Sequence, residues 1–318
     1  MKKRFCAAVT VILALSITLS GCRVNFPGPN EPLPSVQHEK KGTLTIGAKF
    51  FTEQFLLLKI TSIYLKEMGY EIKETSNMES LVVRKAMENG FIDLYWEYTG
   101  TALVNYLGEK SEADPEKAFE IVRSRDMENG IVWLPQSELN NTFSLMMSKA
   151  EADKYGIRSL SDLAASVRQN PEAFKIATTK EFFERDDGLR GMEEKYGFSF
   201  LNSHIIQMDA GLTHIAMKEG QVNVALVFST DAIQYESRLN GQYIPLEDDL
   251  RYFPAYRAAP VVRLPVLQQY PELDGLLAKI RERIDTETMM ELIYLVDVKH
   301  KDVSEVARDW LQKEKLIE

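Results

Sequence analysis

The stretch Phe91-Ile-Asp-Leu-Tyr-Trp-Glu-Tyr-Thr-Gly-Thr101 constrains the fold of this chain more than any other. It follows a helical run, Ser80 to Gly90, that closes with Asn89-Gly90, a common helix stop. Ile92, Leu94 and Trp96 alternate with Phe91, Asp93, Tyr95 and Glu97, which is the period of a strand. The strand runs straight into Tyr98-Thr-Gly-Thr101, where an aromatic ring, two hydroxyls and a flexible Gly are crowded together. Open α/β sheets place their ligand sites at such strand-to-turn junctions.

A second unit of the same kind precedes it. Thr43-Leu-Thr-Ile-Gly-Ala48 alternates like a strand, and Phe55 to Met68 carries Leu57, Ile60, Tyr64 and Leu65 at the spacing of a helix face. Between them lies Lys49-Phe-Phe-Thr-Glu-Gln54, with Thr52 placed to cap the helix. Such a βα connection leaves backbone amide donors facing it. Tyr70 to Thr75 reads as the next strand, Asp114-Pro115 as a helix start and Ile131-Val-Trp-Leu134 as a short strand. A new block opens with Phe143-Ser-Leu-Met-Met147 and continues through a helix from Ser161 and strands at Phe174–Thr178 and Val222–Phe228. After Pro254 the pattern turns helical, with Leu273, Leu276, Leu277 and Ile280, then Val303, Val306, Ala307 and Trp310. A chain of 318 residues exceeds one typical core. The order of elements predicts two α/β lobes: residues 43–140 with 250–318 form lobe I, and 141–249 form lobe II.

The N-terminus predicts export. Met1-Lys-Lys-Arg4 is basic and Phe5 to Leu19 is apolar, the layout of a secretion signal too short for a comfortable membrane span. Leu19-Ser-Gly-Cys22 resembles the bacterial lipobox, in which the cysteine becomes the lipidated first residue of the mature protein. Residues 23–42, with four prolines, read as a flexible tether. The chain is therefore expected on the outer face of a membrane, anchored through Cys22.

Several function classes are disfavoured. A formal net charge of −9 argues against a nucleic-acid partner. Both cysteines, Cys6 and Cys22, precede the body, which leaves it no disulfide, thiol nucleophile or cysteine metal site. His38, His204, His214 and His300 are too scattered for a histidine metal site, so neither metal nor cofactor is expected. Glu247-Asp-Asp249 lacks the spacing and Gly of a calcium loop and reads as a solvated turn. Trp96 and Trp133 read as core and His214 as structural.

Lys49-x-Phe-Thr-Glu-Gln54, Ile92-Asp-Leu-Tyr…Glu97-Tyr-Thr-Gly-Thr101, Asn141-Thr142, Phe228-Ser-Thr-Asp231 and Phe253-Pro-Ala-Tyr-x-x-x-Pro260 occur in that order. Together they resemble the substrate-binding lipoproteins of ABC importers for quaternary-ammonium osmoprotectants: glycine betaine, carnitine, choline and proline betaine. The resemblance runs from about residue 43 to 318. It implies a two-lobed, class II periplasmic-binding-protein fold with the ligand in the cleft, acting as a monomer with an ABC permease and its ATPase subunits as partners. It further implies an aromatic cage for the trimethylammonium group, formed by Tyr98, Phe143, Phe228 and Tyr256. Phe143 and Phe228 stand where well-studied members carry Tyr. For a ligand carboxylate it implies Lys49, Thr101 and Arg185, a set that favours a betaine or carnitine over choline. By their residues alone, Arg185 has Glu184, Asp186 and Asp187 as alternative partners, and Thr101 doubles as a helix cap.

Two other functions compete with solute delivery: a lipid-anchored sensory receptor for the same solutes, and an exported hydrolase. The hydrolase has no Gly-x-Ser-x-Gly elbow and no His-Glu-x-x-His to support it.

Overall fold

The computed structural model describes residues 41–318. The expected signal segment, Cys22 and the tether up to residue 40 lie outside the described residues. The described residues contain ten strands: β1 (Gly42–Lys49), β2 (Tyr70–Met78), β3 (Leu94–Tyr98), β4 (Ile131–Trp133), β5 (Phe143–Ser148), β6 (Ile176–Thr178), β7 (Ile205–Gln207), β8 (Val224–Phe228), β9 (Tyr243–Pro245) and β10 (Ala258–Arg263). They form two five-stranded sheets, ordered β2-β1-β3-β10-β4 and β7-β6-β8-β5-β9.

The two sheets share one plan. Each has a parallel core, β2-β1-β3 in the first and β7-β6-β8 in the second. Each continues with one antiparallel strand that starts where the chain has just crossed from the other sheet, and an edge strand, β4 or β9, pairs antiparallel to it in turn. β5 enters the second sheet beside β8, and β10 returns to the first beside β3. Each antiparallel strand thus begins at the end of its sheet where the parallel strands stop. Phe143, first in β5, pairs with Phe228, last in β8, and Ala258, first in β10, pairs with Tyr98, last in β3. The strand ends that carry Tyr98, Phe143 and Phe228 therefore converge between the lobes.

Strand β3 has no solvent-facing side. All five of its residues are buried, Glu97 at 0% exposure included. Parallel strands covered on both faces lose the amphipathic alternation, so the period marked the strand but not a wet face. The helix Thr52–Glu67 is likewise buried well beyond one stripe, with Leu56, Leu58 and Ile63 inside as well as the expected residues Leu57, Ile60, Tyr64 and Leu65.

Thr52 does not cap that helix. Phe51 holds the cap position and gives no side-chain bond, while the Thr52 hydroxyl donates to Asp297 at 2.8 Å. Asp114 caps its helix as its Asp-Pro signal predicts, accepting from the amides of Glu116 and Lys117. The helix expected from Ser161 starts one residue earlier, because Ser159 and Asp162 form a reciprocal capping box over Leu160–Gln169.

The acidic run near 248 is more than a solvated turn. Asp248 accepts from the Tyr196 hydroxyl at 2.5 Å and from the amides of Tyr252 and Phe253 at 2.9 and 2.8 Å. It fixes the crossover that carries Tyr256 back to the first lobe. Trp96 and Trp133 are core. His214 is largely buried, and burial with Lys218 nearby pushes its pKa down to about 4, so it is neutral at physiological pH. Among the described residues no helix is long and apolar enough to cross a membrane.

Candidate ligand-binding cleft

A cavity of about 320 Å³ opens between the two sheets. Lys49 closes β1, Tyr98 closes β3, Thr101 sits in the short helical turn Thr99–Thr101, and these come from the first lobe. Phe143, Phe228 and Arg185 come from the second, Arg185 directly after the helix Lys180–Glu184. Tyr256 lies on the returning crossover. All seven residues expected from the sequence line this one cavity.

The rings form one connected group. The Phe143 centroid lies 5.3 Å from Phe228 and 5.1 Å from Tyr256, the latter edge to face. Phe51, which the sequence reading did not assign to the cage, stacks on Phe228 at 5.9 Å with a 9° interplanar angle, and on Tyr98 at 6.3 Å. It joins rings of opposite lobes. Its one signal was an aromatic residue at the β1-to-helix turn, inside the Lys49-x-Phe motif.

Tyrosine hydroxyls turn away from the cavity and onto protein carboxylates. The Tyr98 hydroxyl donates to Glu53 at 2.6 Å and accepts from the Gln54 amide at 2.9 Å, and the Tyr256 hydroxyl donates to Asp187. What remains for a ligand is ring face. Gly100 is needed for this arrangement: a Cβ there would stand 2.4 Å from the Tyr256 ring. The Gly of the Tyr-Thr-Gly-Thr turn is therefore the seat of Tyr256.

Both buried cations lining the cavity, Lys49 and Arg185, already hold protein anions. The Lys49 ammonium lies 2.5 Å from Glu97 and 5.0 Å from the Tyr98 ring centroid. Glu97 also accepts from the Tyr98 amide and from the hydroxyls of Tyr95 and Tyr106 at 2.7–2.9 Å. Arg185 gives Nε and Nη2 to Asp187, both at 2.7 Å, and Nη1 to Glu181 at 3.1 Å. Of its three candidate local partners only Asp187 is taken up. Its guanidinium lies 5.5 Å from the Phe143 centroid and 5.4 Å from that of Tyr256. Burial works against this charge, but Tyr256, Asp187 and Glu181 outweigh it and hold the pKa above its ordinary range. Thr101 makes no cap and stands 3.5 Å from Arg185 Nη1.

Behind Phe51 and Phe228 lies an acidic group that sequence reasoning missed. Burial pushes the Glu53 carboxyl up, against hydrogen bonds from Tyr98, Thr230 and Asn141. Asp231 accepts from the Phe228 amide at 2.8 Å, and burial, with Asp297 and Glu53 nearby, raises it from 3.8 to about 7. Folded Asp231 keeps its proton where the unfolded chain loses it, so its contribution to stability is full below about pH 4 and is lost as pH rises through about 7. The side chain is only half-buried, which moderates the effect. Asp231→Asn retains an acceptor for the amide and should remove roughly 1–3 kcal/mol of this decline. Urea melts of both proteins at pH 4 and pH 8 measure it; an unchanged difference between the two pH values would show that Asp231 titrates normally.

Residues 42–313 match the family model described as the substrate binding domain of ABC-type glycine betaine transport systems. The chain is 40% identical over 281 residues to a glycine-betaine-binding protein of Pseudomonas aeruginosa, covering 87% of this chain and 89% of that one. It is 33% identical over 330 residues to a carnitine transport binding protein of Listeria monocytogenes, covering 100% and 99%. A crystal structure titled as a glycine betaine/carnitine/choline ABC transporter superposes with a TM-score of 0.69 at 26% identity, covering 86% of this chain and 99% of the other. The fold is the two-lobed α/β architecture of the periplasmic binding proteins. The chain belongs to the family of substrate-binding domains of ABC-type glycine betaine transport systems.

Proposed function

We propose that this protein captures a quaternary-ammonium zwitterion, such as glycine betaine, carnitine or proline betaine, between its lobes and delivers it to an ABC permease and its ATPase for osmoprotectant uptake. One observation carries the reading: ring faces from both lobes meet on a single cavity while the tyrosine hydroxyls are spent on protein carboxylates. A trimethylammonium group has no N–H to donate, so ring faces are what can recognise it, at roughly 0.5–2 kcal/mol per ring. Tyr98, Phe143, Phe228, Tyr256 and the added Phe51 are the cage. Arg185 and Thr101 receive the carboxylate, and Lys49 polarises the far wall through its contact with Tyr98.

In this reading residues 43–140 with 250–318 form one jaw and 141–249 the other, a division supported by which strands join which sheet. The protein works as a monomer on the outer face of the membrane, held there by lipidated Cys22, and turns over nothing. The family is a transport class, which also weighs against the hydrolase.

Titration calorimetry of residues 23–318 with glycine betaine, carnitine, proline betaine and choline tests the proposal. A preorganised cage of several rings should reach a Kd of about 1 μM, near −8 kcal/mol, for at least one zwitterion. No heat and no thermal shift with any of the four would overturn it.

A further inference from the structure

We propose that the Glu181 carboxylate is the cleft's resident counter-anion: in the empty protein it occupies the edge of Arg185 that a ligand carboxylate takes, and it bridges the lobes while doing so. The proposal rests on the ligand class assigned above and adds the residue that sets the balance between zwitterions and simple cations.

The nitrogens of Arg185 divide cleanly. Nε and Nη2 belong to Asp187, which like Arg185 is 3% exposed, so that pair stays in place. Nη1 faces the first lobe, with Thr101 at 3.5 Å, and its anion is Glu181 at 3.1 Å. Glu181 also accepts from the first lobe, from the Ser80 hydroxyl at 3.2 Å and the Asn105 amide at 3.2 Å. A carboxylate that takes a guanidinium edge on one lobe and hydroxyl and amide donors on the other does what a bound zwitterion's carboxylate would do.

Glu181 is also built to leave. Its bonds are long, and its side chain is 29% exposed, whereas Lys49, Glu97, Arg185 and Asp187 are each at 3% or less. Rotating into water costs it little, while none of the other four can do so without leaving a buried charge unpaired. Lys49 with Glu97 and Arg185 with Asp187 cancel one to one, which leaves Glu181 as surplus negative charge on the cavity wall. Glu79, Lys180 and Asp209 also line the cavity but are exposed at its mouth, where water screens them. A ligand carboxylate must expel Glu181, but a cation without a carboxylate keeps it and gains from its charge.

Glu181→Gln keeps the shape and an acceptor while removing the charge. Calorimetry should show the ratio of the glycine betaine Kd to the choline Kd falling about tenfold against the wild type, since like-charge opposition is relieved for one ligand and attraction lost for the other. Ser80→Ala with Asn105→Ala weakens the bridge without changing charge and should move both ligands together, leaving the ratio fixed. A ratio unchanged in Glu181→Gln, or moved toward choline, overturns the proposal. Small-angle scattering of the empty proteins supplies a second reading that needs no ligand: Glu181→Ala should have a larger radius of gyration than the wild type. Equal radii overturn the bridge. Failure of the wild type to bind either ligand would instead sink the proposed function, while the scattering comparison would still decide the role of Glu181.

Discussion

Arg185→Met should destabilise the fold by about 3–5 kcal/mol, because it strands Asp187 in the interior without its cation. Both groups are 3% exposed, so no solvent screening softens the loss. The Tyr256 hydroxyl still donates to Asp187, but one neutral donor does not balance a buried charge. Adding Asp187→Asn removes that charge and keeps an acceptor for Tyr256, so the double variant should recover most of the stability. It should not recover the zwitterion, since no guanidinium remains for its carboxylate. Urea melts at pH 7 on the single and double variants measure the first claim, and titration with glycine betaine and choline measures the second. A single variant as stable as the wild type would mean the Arg185–Asp187 pair is open to water in solution. Choline binding retained by the double variant would separate the cage from the carboxylate clamp.

Phe143 gives the other large effect, and two replacements divide it. Its ring lies 4.7 Å from Phe182, 5.3 Å from Phe228, 5.1 Å from Tyr256 and 6.1 Å from Phe253, centroid to centroid, beneath the Arg185 guanidinium. Phe143→Ala deletes the middle of this group and should cost about 3 kcal/mol of stability, the low end for such a truncation because one side already opens to the cavity. Phe143→Leu keeps most of the volume and should cost under about 1.5 kcal/mol. The leucine has no π face. If the ring is a cage wall, Phe143→Leu should weaken trimethylammonium binding about tenfold with little loss of fold. A Phe143→Leu protein that binds like the wild type would reduce Phe143 to core packing and leave the cage to its neighbours.

Strands β1 to β4, β6 and β8 were legible as short runs bounded by turns, but β7 and β9, three residues each, were not read, and β10 lies in the stretch after Pro254 that reads as helical. The two crossovers were legible because Asn140-Asn-Thr142 and Phe253-Pro-Ala-Tyr256 interrupt the pattern. Cap chemistry was legible where a helix starts in solvent, as at Asp114, and misled at Thr52, where a distant carboxylate on Asp297 takes the hydroxyl. The seven expected residues reached one cavity because they occupy motif positions, not because their local pattern marks them. What each meets there was not legible. Lys49 was expected to take a ligand carboxylate, yet Glu97 holds it. Phe51 was not assigned to the cage, because its stacking partner, Phe228, belongs to the other lobe. Glu181 had no signal at all, since its first-lobe donors, Ser80 and Asn105, lie far away in the chain.

The stack of Phe51 on Phe228 also bears on how long a ligand stays. Those two rings belong to different lobes, so opening the cleft parts them and wets both faces. In the proposed binding mode that cost adds to the ligand's own contacts in setting how long the complex lasts. A permease that pries the lobes apart would then set the pace of delivery.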